Sequence, residues 1–197
     1  MKSLQLEKPH AIVVIGIQGS GKTFFAQKFA DTFNAPFVEQ SSFDALAVDQ
    51  AASDTLMQHM LKELVKTGRS IVVELALPTR NERNELSKFL RQSGYVPMFV
   101  WVQVDVDTAL TRTRKLAKAG ANDYHENMRR FSLPHPSERA LVVSGKHTFA
   151  TQAKVVLRKL SAPRQHQAVQ QSAPQQPARG DRPQAPQPPQ RGQIIVR

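Results

Sequence analysis

A chain of 197 residues with 40% apolar composition is long enough for one ordinary domain with a real core plus an appendage. It contains no cysteine, which excludes a disulfide framework, a thiol nucleophile and a Cys-based zinc site. Its formal net charge is +11, of which +4 falls on residues 161–197 and +7 on the rest; such an excess favours anionic partners, whether a nucleotide, a nucleic acid or a phosphorylated metabolite.

The first ten residues carry no apolar h-region, and the run from Ala11 to Ile17 is too short to span a membrane. A soluble, cytoplasmic protein with no membrane partner is therefore expected. Ala11 to Ile15 reads as a buried strand, and it is followed by Gly16-Ile17-Gln18-Gly19-Ser20-Gly21-Lys22-Thr23. This is the G-x-x-x-x-G-K-[ST] spacing in its strand–loop–helix setting. Gly16, Gly19 and Gly21 let the backbone curl so that successive N–H groups, with Gln18 and Ser20 among their owners, point at a polyphosphate. The helix opening at Ser20 to Thr23 adds its positive end to the same place. Lys22 can reach the β- and γ-phosphates, and the Thr23 hydroxyl can ligate Mg²⁺. The dinucleotide fingerprint G-x-G-x-x-G fails, because Phe24 stands three positions beyond Gly21. The expected ligand is a nucleoside triphosphate, ATP with Mg²⁺.

The first helix is expected from Gly21 to Phe33, with Phe25, Phe29 and Phe33 as a core-facing stripe. A strand from Pro36 to Glu39 leads into a polar loop, Gln40 to Asp44. A helix capped by Ser53 then carries Leu56, Met57, Met60, Leu61, Leu64 and Val65 on one face and ends at Gly68. Ser70 to Leu75 is a third strand. Thr79 and Glu82 have capping-box spacing for a helix with Leu86, Phe89 and Leu90 inward, closed by Gly94. Tyr95 to Val104 is a long strand, and Asp107 is the expected cap of a helix running to Gly120. Ala140 to Ser144 and Phe149 to Leu160 complete the pattern as strand and helix. Five short apolar strands alternating with helices predict an α/β three-layer sandwich on a five-stranded parallel sheet. Right-handed crossovers place the phosphate loop at the sheet's carboxyl edge. No internal repeat is visible.

The domain is expected to occupy residues 1–160. Residues 161–197 hold ten Gln and seven Pro and almost nothing apolar before Ile194-Ile195-Val196, so a disordered tail is expected. Pro183, Pro186 and Pro189 have polyproline spacing, and the closing apolar triplet is a candidate anchor for a protein partner.

Beyond the phosphate loop, the order of features resembles P-loop kinases of the polynucleotide-kinase and zeta-toxin type, an AAA-type ATP-binding group. The resemblance covers residues 10–160. It rests on Ile71-Val72-Val73-Glu74, Arg83, and Gly94-Tyr95 before a strand ending Val104-Asp105. It continues through Ala109-Leu110 with Arg112 and Arg114, then Arg129-Arg130-Phe131 with Pro134, Pro136 and Glu138. The resemblance implies that Glu74 holds Mg²⁺ beside Thr23, although the family usually has Asp there. It implies a lid over residues 108–139 whose seven Lys and Arg face only three acids. Arg112 and Arg129, with Arg114 and Arg130 as near substitutes, are then the candidates to stabilise a transferring phosphoryl group. Gly120 and Gly145 are candidate hinges, and the stem of Lys146 is a candidate cover for the nucleotide base.

Where the family carries a general base after its second strand, this chain has Ser41. Glu39 and Asp44 are the acids of that loop and the candidate bases. Three functions stay open at this level. One is a kinase moving the γ-phosphate of ATP to a hydroxyl of a small molecule or nucleic-acid end. The others are a nucleotide-controlled module acting through a partner, and a basic nucleic-acid binder whose affinity falls steeply with salt.

Overall fold

The protein is described from a computed structural model over residues 4, 6–75, 77–116, 124 and 128–162. Residues 163–197 of the expected tail with its apolar triplet, Gly120 and the middle of the expected lid lie outside these residues, and the last helix takes Ser161 from the expected tail. Five strands form the sheet: β1 (His10–Ile15), β2 (Phe37–Glu39), β3 (Ile71–Glu74), β4 (Val96–Gln103) and β5 (Leu141–Ser144). Their order is β2-β3-β1-β4-β5 and every pairing is parallel. The helices are α1 (Lys22–Phe33), α2 (Gln40–Asp44), α3 (Gln50–Lys66), α4 (Arg80–Gln92), α5 (Val106–Leu116) and α6 (Phe149–Ser161), with a 3₁₀ turn at Pro136–Glu138.

Alternation along β1 divides the core. Ile12 and Val14 face a cluster with Phe25, Phe29 and Phe33 of α1 and Ala153 and Val156 of α6. Ala11, Val13 and Ile15 face the other side, with Leu61 of α3 and Leu86 and Leu90 of α4. A strand buried on both faces reads as an unbroken apolar run, which is why β1 and β3 stand out in the sequence. The aromatic stripe on α1 packs as expected, with Phe29 and Phe33 ring centroids 4.6 Å apart. The result is three layers, helices on both faces of a parallel sheet.

Local details differ from expectation for identifiable reasons. Residues 40–44 are helical rather than a loop. Gln40 is buried, and its side-chain amide donates to Ser53 Oγ and Asp54 Oδ1, each at 3.2 Å, so contacts with α3 hold the turn. Helix α3 starts earlier than expected, with Asp49 accepting from the Ala52 N–H at 2.8 Å; Ser53 lies buried inside it. Leu56 and Met60 are turned outward, leaving Leu61 as the buried apolar anchor. Asp105, not Asp107, caps α5, accepting the Thr108 N–H at 2.9 Å and the Thr108 hydroxyl at 2.9 Å. The α4 capping box forms as read, with the Glu82 side chain returning to the Thr79 N–H at 2.8 Å. Among the described residues, no helix is long and apolar enough to cross a membrane.

Candidate functional site

Register brings Glu39 and Glu74 side by side at the carboxyl edge of β2 and β3, and Gly16 leaves β1 at the same edge. There Gly16, Gly19 and Gly21 all have positive φ, at 155°, 78° and 92°. Two of them are also crowded. A Cβ on Gly16 would stand 2.7 Å from the Val102 carbonyl, and one on Gly19 would strike the Ala109 carbonyl and the Thr113 hydroxyl. The loop is thus pressed against β4 and α5, and only glycine fits.

Helix α1 opens on Gly21 with no side-chain cap and no acid in its first turn, whereas Asp49, Thr79 and Thr148 cap α3, α4 and α6. The first intrahelical bond at this end is from the Phe25 N–H to the Gly21 carbonyl, so the N–H groups of the first turn are left to an external acceptor. A helix terminus bare of acids and caps, reached through a glycine loop, suits a phosphate.

Side chains converge on the same point. Glu74 is buried, and its Oε1 accepts the Thr23 hydroxyl at 2.8 Å and lies 3.3 Å from Lys22 Nζ. Its Oε2 is buried with no hydrogen-bond partner, as are Ser20 Oγ and Gln18 Oε1. Three orphaned polar atoms around one loop are unusual in a folded core, where such groups are nearly always paired. They fit a site whose remaining partners arrive with the ligand. Lys22, Thr23 and Glu74 are therefore brought together beside the loop that carries Gln18 and Ser20.

Other expected residues sit differently. Arg112 on α5 is half-buried and donates from Nη1 to the Gly145 carbonyl at 3.1 Å and the Ser20 carbonyl at 3.5 Å. It thereby ties the phosphate loop to the loop after β5. Gly145 is no loose hinge: its N–H bonds the Gln103 carbonyl at 2.7 Å, and a Cβ on it would strike the Ser20 carbonyl. Lys146 is exposed, and its ammonium pairs with Asp105 at 2.5 Å. Hydrogen bonds to Asp105 from Lys146 first, then from the Thr108 N–H and hydroxyl, hold its carboxyl well below the usual carboxylate range. Arg129 and Arg130 are exposed within a helical stretch, residues 128–130; Arg114 is exposed on α5.

The two candidate bases separate. Asp44 is turned to α3, where its Oδ1 accepts from Ser53 Oγ and Gln50 Nε2. Glu39 stays at the sheet edge beside Glu74, half-buried, accepting the Ser41 hydroxyl. Of the two candidate bases, Glu39 is thus the one beside Glu74 at the sheet edge.

Three contacts do not show in the sequence, although Asp105, Arg83 and Glu138 themselves belong to the resemblance. Thr113 backs the phosphate loop at Gly19, and Asp105 holds Lys146 of the loop after β5 to the start of α5. The third is the buried pair of Arg83 and Glu138, 2.6 Å apart, which fastens the segment after Arg129-Arg130 to the start of α4. Arg83 also donates to the Leu77 carbonyl at 3.1 Å and the Pro78 carbonyl at 3.2 Å, and the Ser132 N–H bonds the same Pro78 carbonyl at 2.8 Å.

Residues 12–132 match the model of a family described as AAA domain. No curated protein matches the chain in sequence. Solved structures share the fold. A gluconokinase from Sinorhizobium meliloti 1021 is 17% identical with TM-score 0.61, over 77% of this chain and 91% of that one. The APS kinase CysC of Mycobacterium tuberculosis, in complex with AMPPNP and APS, is 15% identical with TM-score 0.61, over 79% and 99%. Chaetomium thermophilum Kti12, in complex with ADP-AlF3, is 17% identical with TM-score 0.57, over 76% and 96%. This chain therefore has the P-loop kinase fold.

Proposed function

Because the chain belongs to the AAA domain family of P-loop proteins, we propose that it is an ATP-dependent kinase that moves the γ-phosphate to a hydroxyl group of a small molecule. The observation that carries this reading is the convergence of Lys22, Thr23 and Glu74 on the uncapped start of α1, with Ser20 Oγ, Gln18 Oε1 and Glu74 Oε2 left without partners. Solved relatives of the fold that are named as gluconokinase and APS kinase support the small-molecule acceptor.

Each residue then has a task. The first-turn N–H groups of α1 and the Lys22 ammonium bind the β- and γ-phosphates, with Lys22 exchanging Glu74 for phosphate. Thr23 Oγ1 and Glu74 are the groups that would hold Mg²⁺, which supplies charge neutralisation on the transferring phosphoryl group. Glu39 accepts the proton of the attacking hydroxyl. Arg112 orients the nucleotide through the loop it ties down, and Arg129, exposed on the arm that Arg83 and Glu138 secure, stabilises developing charge. One observation favours a nucleotide-controlled module instead: the Glu39 carboxylate is engaged by Ser41, which stands where the family carries its base.

The test of the binding half is Lys22→Ala. It removes the main side-chain contact to the phosphates, and ATP affinity is expected to fall by about an order of magnitude or more, measured by calorimetric titration. Unchanged affinity in a folded Lys22→Ala protein overturns the assignment of the loop.

A further inference from the structure

The polar side chains of α4 fall into two groups. Near the helix start they are engaged: Arg80 donates to Ser137 Oγ at 3.1 Å, Glu82 closes the capping box, and Arg83 pairs with Glu138. Further along, Asn84, Ser87, Lys88, Arg91 and Gln92 share one helix face, at spacings of three and four. All five border a cavity of about 350 Å³, and among the described residues none of them makes a side-chain hydrogen bond or ion pair. Ser87 lacks such a partner although it is buried, where polar groups are normally paired. The floor of the cavity is Pro97 and Phe99 of β4, and its opposite wall is the turn at Ser137 and Glu138. The Glu138 carboxylate is already neutralised by Arg83, which leaves the positive field of Lys88 and Arg91 uncompensated. The cavity is also separate from the phosphate loop. Pro97 is paired with Ala11 at the beginning of β1, whereas the loop leaves β1 beyond Ile15, at the other edge of the sheet.

We propose that this cavity is a second anion site, which takes a small phosphorylated polyhydroxy molecule of the sugar-phosphate class. Lys88 as a point charge and Arg91 as a planar fork hold the phosphate oxygens. Asn84, Ser87 and Gln92 offer both donors and acceptors to hydroxyl groups. Pro97 and Phe99 give the C–H face of a sugar ring an apolar surface to rest on. The volume falls within the range of small-molecule sites. Arg80 and Arg83 fasten the opposite wall to α4, so both walls are set before the ligand arrives. The site stands whether or not the chain transfers phosphate.

The experiment titrates the full chain calorimetrically with glucose 6-phosphate and with glucose. The proteins are the parent, Lys22→Ala, Lys88→Gln with Arg91→Gln, and a control that removes two exposed lysines elsewhere, Lys62→Gln with Lys154→Gln. The parent is expected to bind glucose 6-phosphate and not glucose. Lys88→Gln with Arg91→Gln is expected to weaken that binding by about tenfold or more and to leave ATP affinity unchanged. Lys22→Ala and the control pair are expected to bind glucose 6-phosphate as the parent does. A parent that does not bind glucose 6-phosphate, or a Lys88→Gln, Arg91→Gln protein that binds it equally well, overturns the inference. Equal loss in Lys22→Ala would put the anion in the phosphate loop, and equal loss in the control pair would reduce the effect to bulk charge; either result overturns it too.

Discussion

Glu39→Gln is expected to slow phosphoryl transfer by roughly two to four orders of magnitude while ATP affinity stays in place. The amide keeps the size of the side chain and its hydrogen bonding but cannot take the proton of an attacking hydroxyl. Register puts Glu39 next to Glu74 at the sheet edge, whereas Asp44 is bound up with Ser53 and Gln50. Asp44→Asn is thus expected to leave the chemical step nearly untouched. Glu74→Gln behaves differently again. It weakens the dependence on Mg²⁺ together with the rate, because Glu74 shares its Oε1 with Thr23 and Lys22. Steady-state rates and ATP titrations for the three amides side by side separate these roles. Equal transfer rates in Glu39→Gln and the parent would remove Glu39 from the mechanism.

Glu138→Ala is expected to be the most destabilising single change, by about 3–5 kcal/mol, because it strands a buried guanidinium. Arg83 is 0% exposed and Glu138 sits 2.6 Å from it; the guanidinium's remaining donors go to the carbonyls of residues 77 and 78 and to Ser132. Removing both charges, as in Arg83→Met with Glu138→Leu, is expected to restore most of that loss, since the pair's attraction largely offsets its desolvation. Urea midpoints of the single and double variants provide the measurement, and a Glu138→Ala midpoint equal to the parent's would contradict the account.

The pair also sets a pH dependence. Burial pushes the Glu138 carboxyl up, but hydrogen bonds from Arg83 and the His135 N–H, with the charges of Arg83 and Arg80, outweigh it and hold the group below its ordinary value of 4.5. A carboxyl lowered in the folded state binds fewer protons than in the unfolded chain. Its contribution is fully present above 4.5 and is lost as the pH falls through the lower, folded value. The acid limb of the stability curve should therefore flatten in the double variant.

Residues differ in how far their roles are written in local sequence. The phosphate loop is legible because its chemistry demands fixed spacing between glycines, lysine and threonine over eight positions. Strands β1 and β3 are legible because burial on both faces leaves an unbroken apolar run. Glu74 is legible through the family resemblance, which implies an acid at the end of the third strand. Non-local contacts are a different matter. Nothing in the run from Gln40 to Asp44 announces a helix, because the bonds that hold it reach Ser53 and Asp54. Asp105 and Asp107 are equally good caps locally, and the end of β4 at Gln103 decides between them. Gly145 reads as a hinge until the Ser20 carbonyl is found against it. Arg83 and Glu138 lie 55 positions apart, and only the fold brings them together.

Transfer of labelled γ-phosphate from ATP to a panel of polyols, sugar acids, nucleosides and 5′-hydroxyl oligonucleotides tests the central claim most directly. The account predicts stable label on one class of hydroxyl acceptor in the parent, and none in Lys22→Ala. A folded parent that binds ATP and labels no acceptor in the panel would contradict it.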